Sequence, residues 1–316
     1  RGQAALLAGV TAVLAASALR TAAPDSAQGL APPLDGQPAE ARQGPIGELL
    51  VPGRKYLFLA HRKTGTNLMW QLCDLTSRMA FGVSRCGACY RVMPPAHGST
   101  HPRCLQPIRG PEYEETPLNS TFTVVTSITG SEMMSLLVGV PDFRAVHMVR
   151  EPTRIAISDY QYEKFIRSSN APDDIKWDTR FEGDNFTDVA RDLRKIAKSV
   201  HEEVGEVIST DSVVSGDRRV LSFDLDSIAG KYDNFSTRMY NHLFDGPPPN
   251  KLHLLVEEAA SQDMSRWKQE QLHKSGAGAS SHWSSRQEAL DAWDALRKAG
   301  DEDVLKVISD AKSLGY

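Results

Sequence analysis

The stretch from Tyr56 to Trp70 reads Tyr-Leu-Phe-Leu-Ala-His-Arg-Lys-Thr-Gly-Thr-Asn-Leu-Met-Trp and restricts what this chain can fold into more than any other part of it. Tyr56 to Ala60 is a short, unbroken apolar run, the composition of a strand buried on both faces of a parallel sheet. Leu68, Trp70 and Leu72 then open a segment rich in helix formers. The join between them, Lys63-Thr64-Gly65-Thr66-Asn67, holds a glycine and a lysine. A tight turn there aims successive backbone N–H groups, the positive end of the helix dipole and an ammonium at one point, which suits a phosphate-like anion. It is not a Walker loop, because there the lysine follows the second glycine of Gly-x-x-x-x-Gly-Lys-[Ser/Thr], whereas Lys63 precedes Gly65. From that order the lysine reaches over the terminal group of the anion from the strand side, and Thr66 and Asn67 are expected to cap the helix. An ordinary strand-turn-helix corner is the alternative for so short a motif.

Further along, Thr121 to Ile128 is β-branched and free of charge, and Ala145 to Val149 is another apolar run. Val220 to Leu225 is a third. These strand patterns alternate with helical ones: Asn67 to Ala80, with Leu68, Leu72, Leu75 and Met79 on one face, a segment from Ser131, another opening at Pro152, and Phe186 to Ile208. The alternation predicts an α/β fold of three layers, a central parallel sheet flanked by helices, with ligands at the C-terminal ends of the strands. The strand ending at Val149 delivers Arg150, and Pro152 sets the first turn of the next helix. Ser158 lies about two turns along it. A guanidinium and a hydroxyl so placed suit a second phosphate; a structural ion pair of Arg150 with Glu151 or Asp159 is the alternative.

Two motifs together resemble the PAPS-dependent sulfotransferases. Their 5′-phosphosulfate loop runs Pro-Lys-[Ser/Thr]-Gly-Thr-Thr-x-Leu; here Arg62 stands for the proline and Asn67 for the second threonine. Their 3′-phosphate motif is an apolar strand, then Arg-[Asp/Glu]-Pro and later a serine, matched by Arg150 and Ser158. The resemblance implies a sulfotransferase domain that binds PAPS through Arg62, Lys63, Thr64, Gly65, Thr66, Asn67, Arg150 and Ser158, without a metal. Phe223-Asp224-Leu225 is similar to a structural strand end of the family. Lys274, ahead of Trp283, is the nearest equivalent of the basic residue in its C-terminal glycine-rich loop, and a plain linker is the other reading of that stretch. The implied reaction is in-line transfer of a sulfuryl group from PAPS to a hydroxyl or amine. Lys63 neutralises the departing oxygen and a base takes the acceptor proton. Cytosolic relatives place a histidine after the strand matched by Thr121 to Ile128, but this chain has Thr126-Ser127. Glu132 and His97 are the base candidates; a helix-start carboxylate and a loop or metal-ligand histidine are their structural alternatives. A nucleotide kinase, or a binder that kept the pocket and lost turnover, are the rival functions.

With 36 basic and 40 acidic residues the chain has a net charge of −4, so no global basic field recommends nucleic acid as a partner. Ala4 to Leu19 carries no charge and is flanked by Arg1 and Arg20, which reads as a signal peptide or an uncleaved signal anchor over residues 1–21. Residues 22–50, rich in Pro, Ala, Gly and Gln, read as a stem, and 51–316 as the catalytic domain. The sequons at Asn119, Asn185 and Asn234 and the four cysteines, Cys73, Cys86, Cys89 and Cys104, suit a secretory lumen with one or two disulfides of unreadable pairing. A zinc site from Cys86, Cys89, His97 and His101 is the alternative. The expected setting is the Golgi membrane with a lumenal catalytic domain, and the expected acceptor is a carbohydrate or another hydroxyl-bearing molecule. Phe81 to Leu118 reads as a long irregular insertion that shapes the acceptor side.

Overall fold

The computed structural model describes residues 44–93, 103–109, 112–118, 120–166, 188–263 and 280–316. The N-terminal apolar segment, Asn119, Asn185, His97, His101 and Lys274 lie outside them. Among the described residues no helix is long and apolar enough to cross a membrane.

The chain divides into two compact units. One, here the sheet unit, comprises Gln37–Glu151, Glu202–Ser265 and Ser313–Tyr316; the other, the helical unit, includes Pro152–His201 and Arg266–Lys312. In the sheet unit the order is β1 (Lys55–Ala60), α1 (Thr66–Phe81), β2 (Cys86–Cys89), β3 (Arg91–Met93), β4 (Arg103–Arg109), β5 (Glu112–Pro117), β6 (Phe122–Val125), α2 (Gly130–Gly139) and β7 (Phe143–Val149). After α3 (Pro152–Ile166) and α4 (Val189–Val214) come β8 (Val220–Asp224), the single-turn α5 (Leu225–Ile228), α6 (Tyr232–Leu243) and α7 (Pro249–Ala260). The chain closes with α8 (Ser280–Lys298) and α9 (Glu302–Ser313).

Five strands form one sheet in the order β2-β6-β1-β7-β8, and every pairing in it is parallel. This is the α/β architecture that the alternating pattern predicts. Because both faces are covered, the strands read as continuous apolar runs rather than alternating ones. Tyr56, Phe58, Ala60, Phe122, Val124, Val146 and Met148 pack with α1, α6 and α7 on one face. Leu57, Leu59, Val125, Phe143 and Ala145 pack on the other with Met133 and Leu136 of α2. The end of α4 is tied to this second face, since Thr210 Oγ1 donates to the Ile128 carbonyl at 3.1 Å.

Two expectations change here. Among its described residues the insertion after α1 is largely strand: β2 joins the central sheet as an edge strand, and β3, β4 and β5 make a separate antiparallel sheet. The cysteines form disulfides Cys73–Cys86 and Cys89–Cys104, with Cα–Cα distances of 5.7 and 5.4 Å. The first ties β2 to α1, the second ties it to β4, so cross-links do the ordering work that short weak strands could not do alone. The zinc alternative loses its sulfur ligands by the same finding. The second change is at the domain start: Ile46 is fully buried in the core and its N–H donates to the Met79 carbonyl at 3.2 Å, so the folded unit already includes residues read as stem.

In the helical unit, Leu193, Ile196 and Val200 of α4 are buried, as are Trp293 and Leu296 of α8. Its outer links include Lys164 to Glu288 at 3.1 Å and Arg194 to Asp301 at 2.6 Å.

Candidate anion-binding site at the strand ends

The loop that follows β1 is organised by one peptide carbonyl. The His61 carbonyl oxygen accepts from the Thr64 N–H at 3.1 Å, from Thr64 Oγ1 at 2.9 Å and from Thr66 Oγ1 at 3.0 Å. The His61 N–H donates in turn to Thr64 Oγ1 at 2.7 Å, and Thr64 is fully buried. The turn is closed by two left-handed residues, Lys63 at φ 59° and Gly65 at φ 104°. A non-glycine residue in that region is uncommon and its strain is sustained by the surrounding contacts. The positive φ favours glycine at position 65, and a Cβ there would also be crowded, 3.1 Å from Leu225 Cδ1 and 3.2 Å from Met148 Cγ.

Gly65 is also the N-cap of α1, and no side chain caps that helix start. Thr66, expected to cap it, gives its hydroxyl to the His61 carbonyl instead, and Asn67 is exposed. Among the described residues, the first N–H groups of this 16-residue helix therefore have no side-chain acceptor beside the half-buried Arg62 and Lys63. That is the donor array an oxyanion needs.

Arg150 follows the last residue of β7, and β7 pairs with β1, so the sheet brings it to this loop. Its Nη1 donates to the Lys63 carbonyl at 3.2 Å. The other edge of the guanidinium meets Asp226 of α5, Nε to Oδ2 at 3.2 Å and Nη2 to Oδ1 at 3.3 Å. The carboxylate on its fork is thus Asp226, a residue the sequence did not single out. Ser158 occupies α3 as its spacing predicts, half-buried, in the helical unit.

Behind the loop lies a pair of histidines. His61 Nε2 and His147 Nε2 are 3.0 Å apart, and His147 Nδ1 is 3.2 Å from Ser222 Oγ on β8. Both imidazoles are almost fully buried, at 7% and 0% exposure. Burial holds both below the ordinary histidine range: His147 falls to about 4, and His61 is lowered well below its usual value by burial first and by His147 second. At neutral pH both rings are uncharged, and a single N–H lies between them. The signal for this pair was legible in principle. Leu57, Leu59 and His61 share one face of β1 and its continuation, Phe143, Ala145 and His147 one face of β7, and two polar residues closing apolar series invite a partner.

Glu132 has another role than that of a base. It is the N3 residue of a capping box at α2, where Thr129 N–H donates to Oε2 at 3.0 Å and Glu132 N–H donates to Thr129 Oγ1 at 3.3 Å. Its Oε1 accepts from Arg91 Nε at 2.8 Å, and the residue is 6% exposed. Both oxygens are committed to structure, which is the helix-start alternative for this residue. Asp224 has a similar job at α5, accepting from the N–H groups of Asp226 and Ser227, in keeping with the structural role read for the end of β8. His97 and Lys274 lie outside the described residues.

No family model matches the sequence, and no curated relative matches it. Among solved structures the chain is similar to mouse sulfotransferase SULT7A1 complexed with PAP, at 9% identity and TM-score 0.41 over 71% of this chain and 69% of that one. It is also similar to retinol dehydratase in complex with androsterone and the inactive cofactor PAP, at 13% identity and TM-score 0.40 over 73% of this chain and 69% of that one. Scores of this size decide nothing about the site, which stands on its own residues.

Proposed function

We propose that this chain is a PAPS-dependent sulfotransferase that moves a sulfuryl group to a hydroxyl-bearing acceptor. One observation carries the reading: the lysine-bearing loop and the strand-end arginine, far apart in sequence, meet through the bond from Arg150 Nη1 to the Lys63 carbonyl. That contact supports reading Lys63 and Arg150 as parts of one site. In the proposed reaction the acceptor oxygen forms a bond to sulfur while the bond from sulfur to the phosphate oxygen breaks. The electron pair leaves with adenosine 3′,5′-bisphosphate, and the acceptor's proton passes to a base, for which His97 is the remaining candidate of the sequence. The uncapped N–H groups of α1 receive the anionic oxygens, and Lys63 balances the charge that builds on the departing oxygen. Arg150 supplies the grip on the 3′-phosphate.

Nucleotide binding tests this directly. Adenosine 3′,5′-bisphosphate is expected to raise the melting temperature more than ATP with magnesium does, because stabilisation scales with affinity for the folded state. Equal stabilisation by 5′-AMP, which lacks the 3′-phosphate, removes the reading, and a larger response to ATP with magnesium favours a kinase.

The setting is part of the proposal: a secretory lumen, reached through residues 1–21 as signal or anchor and a stem after them, with a glycan hydroxyl as acceptor. Two disulfides and the exposed side chain of Asn234 on α6 support it. Protein from a eukaryotic secretory host is expected to show no reactive thiol before reduction and to lose mass on removal of N-glycans. Four titratable thiols in unreduced protein contradict it.

A further inference from the structure

Arg150 is the residue on which the proposed nucleotide grip depends, yet its best edge is already taken. A guanidinium offers a phosphate two parallel donors most effectively through Nε and one terminal nitrogen. In this structure those two atoms point at Asp226, at 3.2 and 3.3 Å. Both distances are long for charge-assisted bonds, which normally close to about 2.7–2.9 Å. The carboxylate is well placed to let go: the Asp226 side chain is 36% exposed, against 18% for Arg150, and it sits on a helix of four residues. The remaining contact of the guanidinium, to the Lys63 carbonyl, uses a different nitrogen and does not depend on Asp226. Two further acids are close by: the Tyr316 hydroxyl donates to Asp224 at 3.0 Å, and its pKa is raised by burial first and then by Asp224, Asp226 and Glu151. An incoming phosphate meets this negative edge as well as the arginine.

We propose that Asp226 is an internal competitor for the anion, an affinity-setting residue whose carboxylate holds the Nε edge of Arg150 and must be displaced before a phosphate or sulfate can take it. The bond to the Lys63 carbonyl keeps the guanidinium in place during the exchange, so release of Asp226 frees the fork without losing the arginine. This deepens the sulfotransferase reading and rests on it for the identity of the nucleotide; the competition itself concerns any oxyanion at Arg150.

The test is calorimetric titration of the full chain and two variants with adenosine 3′,5′-bisphosphate and, separately, inorganic phosphate. Asp226→Asn keeps the shape and removes the charge. Glu257→Gln removes one charge from an exposed position on α7 of the same unit and controls for net charge. The expected result is that Asp226→Asn binds both probes about twofold to fivefold more tightly, the scale of a partly exposed ion pair, while Glu257→Gln stays near wild type. Asp226→Ala is expected to behave as Asp226→Asn does. Unchanged or weaker binding in both Asp226 variants overturns the proposal and makes Asp226 a prop for Arg150. Equal tightening in Glu257→Gln overturns it too, as a bulk charge effect. If phosphate binds more tightly to Asp226→Asn but adenosine 3′,5′-bisphosphate binds to nothing, the competition stands and the nucleotide reading falls. If neither probe binds any form of the protein, both fall.

Discussion

Lys63→Ala is expected to lower kcat by about a hundredfold to a thousandfold, the usual loss when a preorganised electrostatic donor is removed from a transition state. As the bond from sulfur to the leaving oxygen lengthens, negative charge gathers on that oxygen, so an ammonium beside it is worth more at the barrier than in the bound donor. The backbone limits the damage elsewhere. Lys63 is left-handed at φ 59°, and alanine is no worse there than lysine, since both carry a Cβ. The carbonyl that accepts from Arg150 belongs to the main chain and survives the substitution. Adenosine 3′,5′-bisphosphate is therefore expected to bind within about tenfold of wild type, so that kcat and affinity separate. Lys63→Arg is not expected to restore turnover, because a wide planar fork does not replace a point charge in a turn this tight. Single-turnover assays with labelled PAPS, beside titrations of the bisphosphate, measure both quantities. Near-normal turnover in Lys63→Ala means that the loop is a structural corner, and the sulfotransferase reading is withdrawn.

A second large effect is expected on acidification. His147 has a folded pKa of about 4 against an ordinary value of 6.5, and His61 is displaced in the same direction. Between those values the unfolded chain binds protons that the folded one refuses, so stability rises with pH across the interval and falls as pH drops from about 6.5 towards 4. His147 alone contributes about 3 kcal/mol over that interval, a large share of the roughly 5–15 kcal/mol that holds an ordinary domain together. His61 adds to it in the same sense. Denaturant unfolding at pH 7 and pH 4.5 checks this in wild type and in His147→Gln, which keeps a polar side chain but cannot titrate. Wild type is expected to lose more stability between the two pH values than the variant does, and a parallel loss in both would show that other groups carry the acid sensitivity. The pair ties the end of β1 to the end of β7, the two strands that present Lys63 and Arg150. Acid should therefore loosen the anion site before it unfolds the unit, a consequence readable as weaker bisphosphate binding at pH 5 than at pH 7.

The elements that carry the site were legible because their signals are local. An apolar run, a glycine and a helical repeat predict, from neighbouring residues, a strand from Tyr56 to Ala60, a turn, and a helix from Asn67 to Ala80, and the structure has them at Lys55–Ala60 and Thr66–Phe81. The strand ending ahead of Arg150 was legible for the same reason. Chain spacing alone told nothing reliable about which cysteine meets which, because four half-cystines pair according to how strands are laid side by side. The same limit hid the second sheet in the insertion, whose short strands are defined by each other rather than by composition.

What the sequence by itself determined, then, is the α/β class, the lysine-glycine loop at one strand end and the arginine at another. What only the tertiary structure decided is partnership. Asp226 reaches Arg150 across 76 positions, and His61 reaches His147 across 86, because β1, β7 and β8 are neighbours in one parallel sheet. Glu132 turned out to be engaged at both oxygens once Arg91 was brought to it. Periodicity and turn chemistry act between residues a few places apart, so they are written along the chain. Strand order and register act across it, and they settle which charges and hydrogen bonds are left for a ligand.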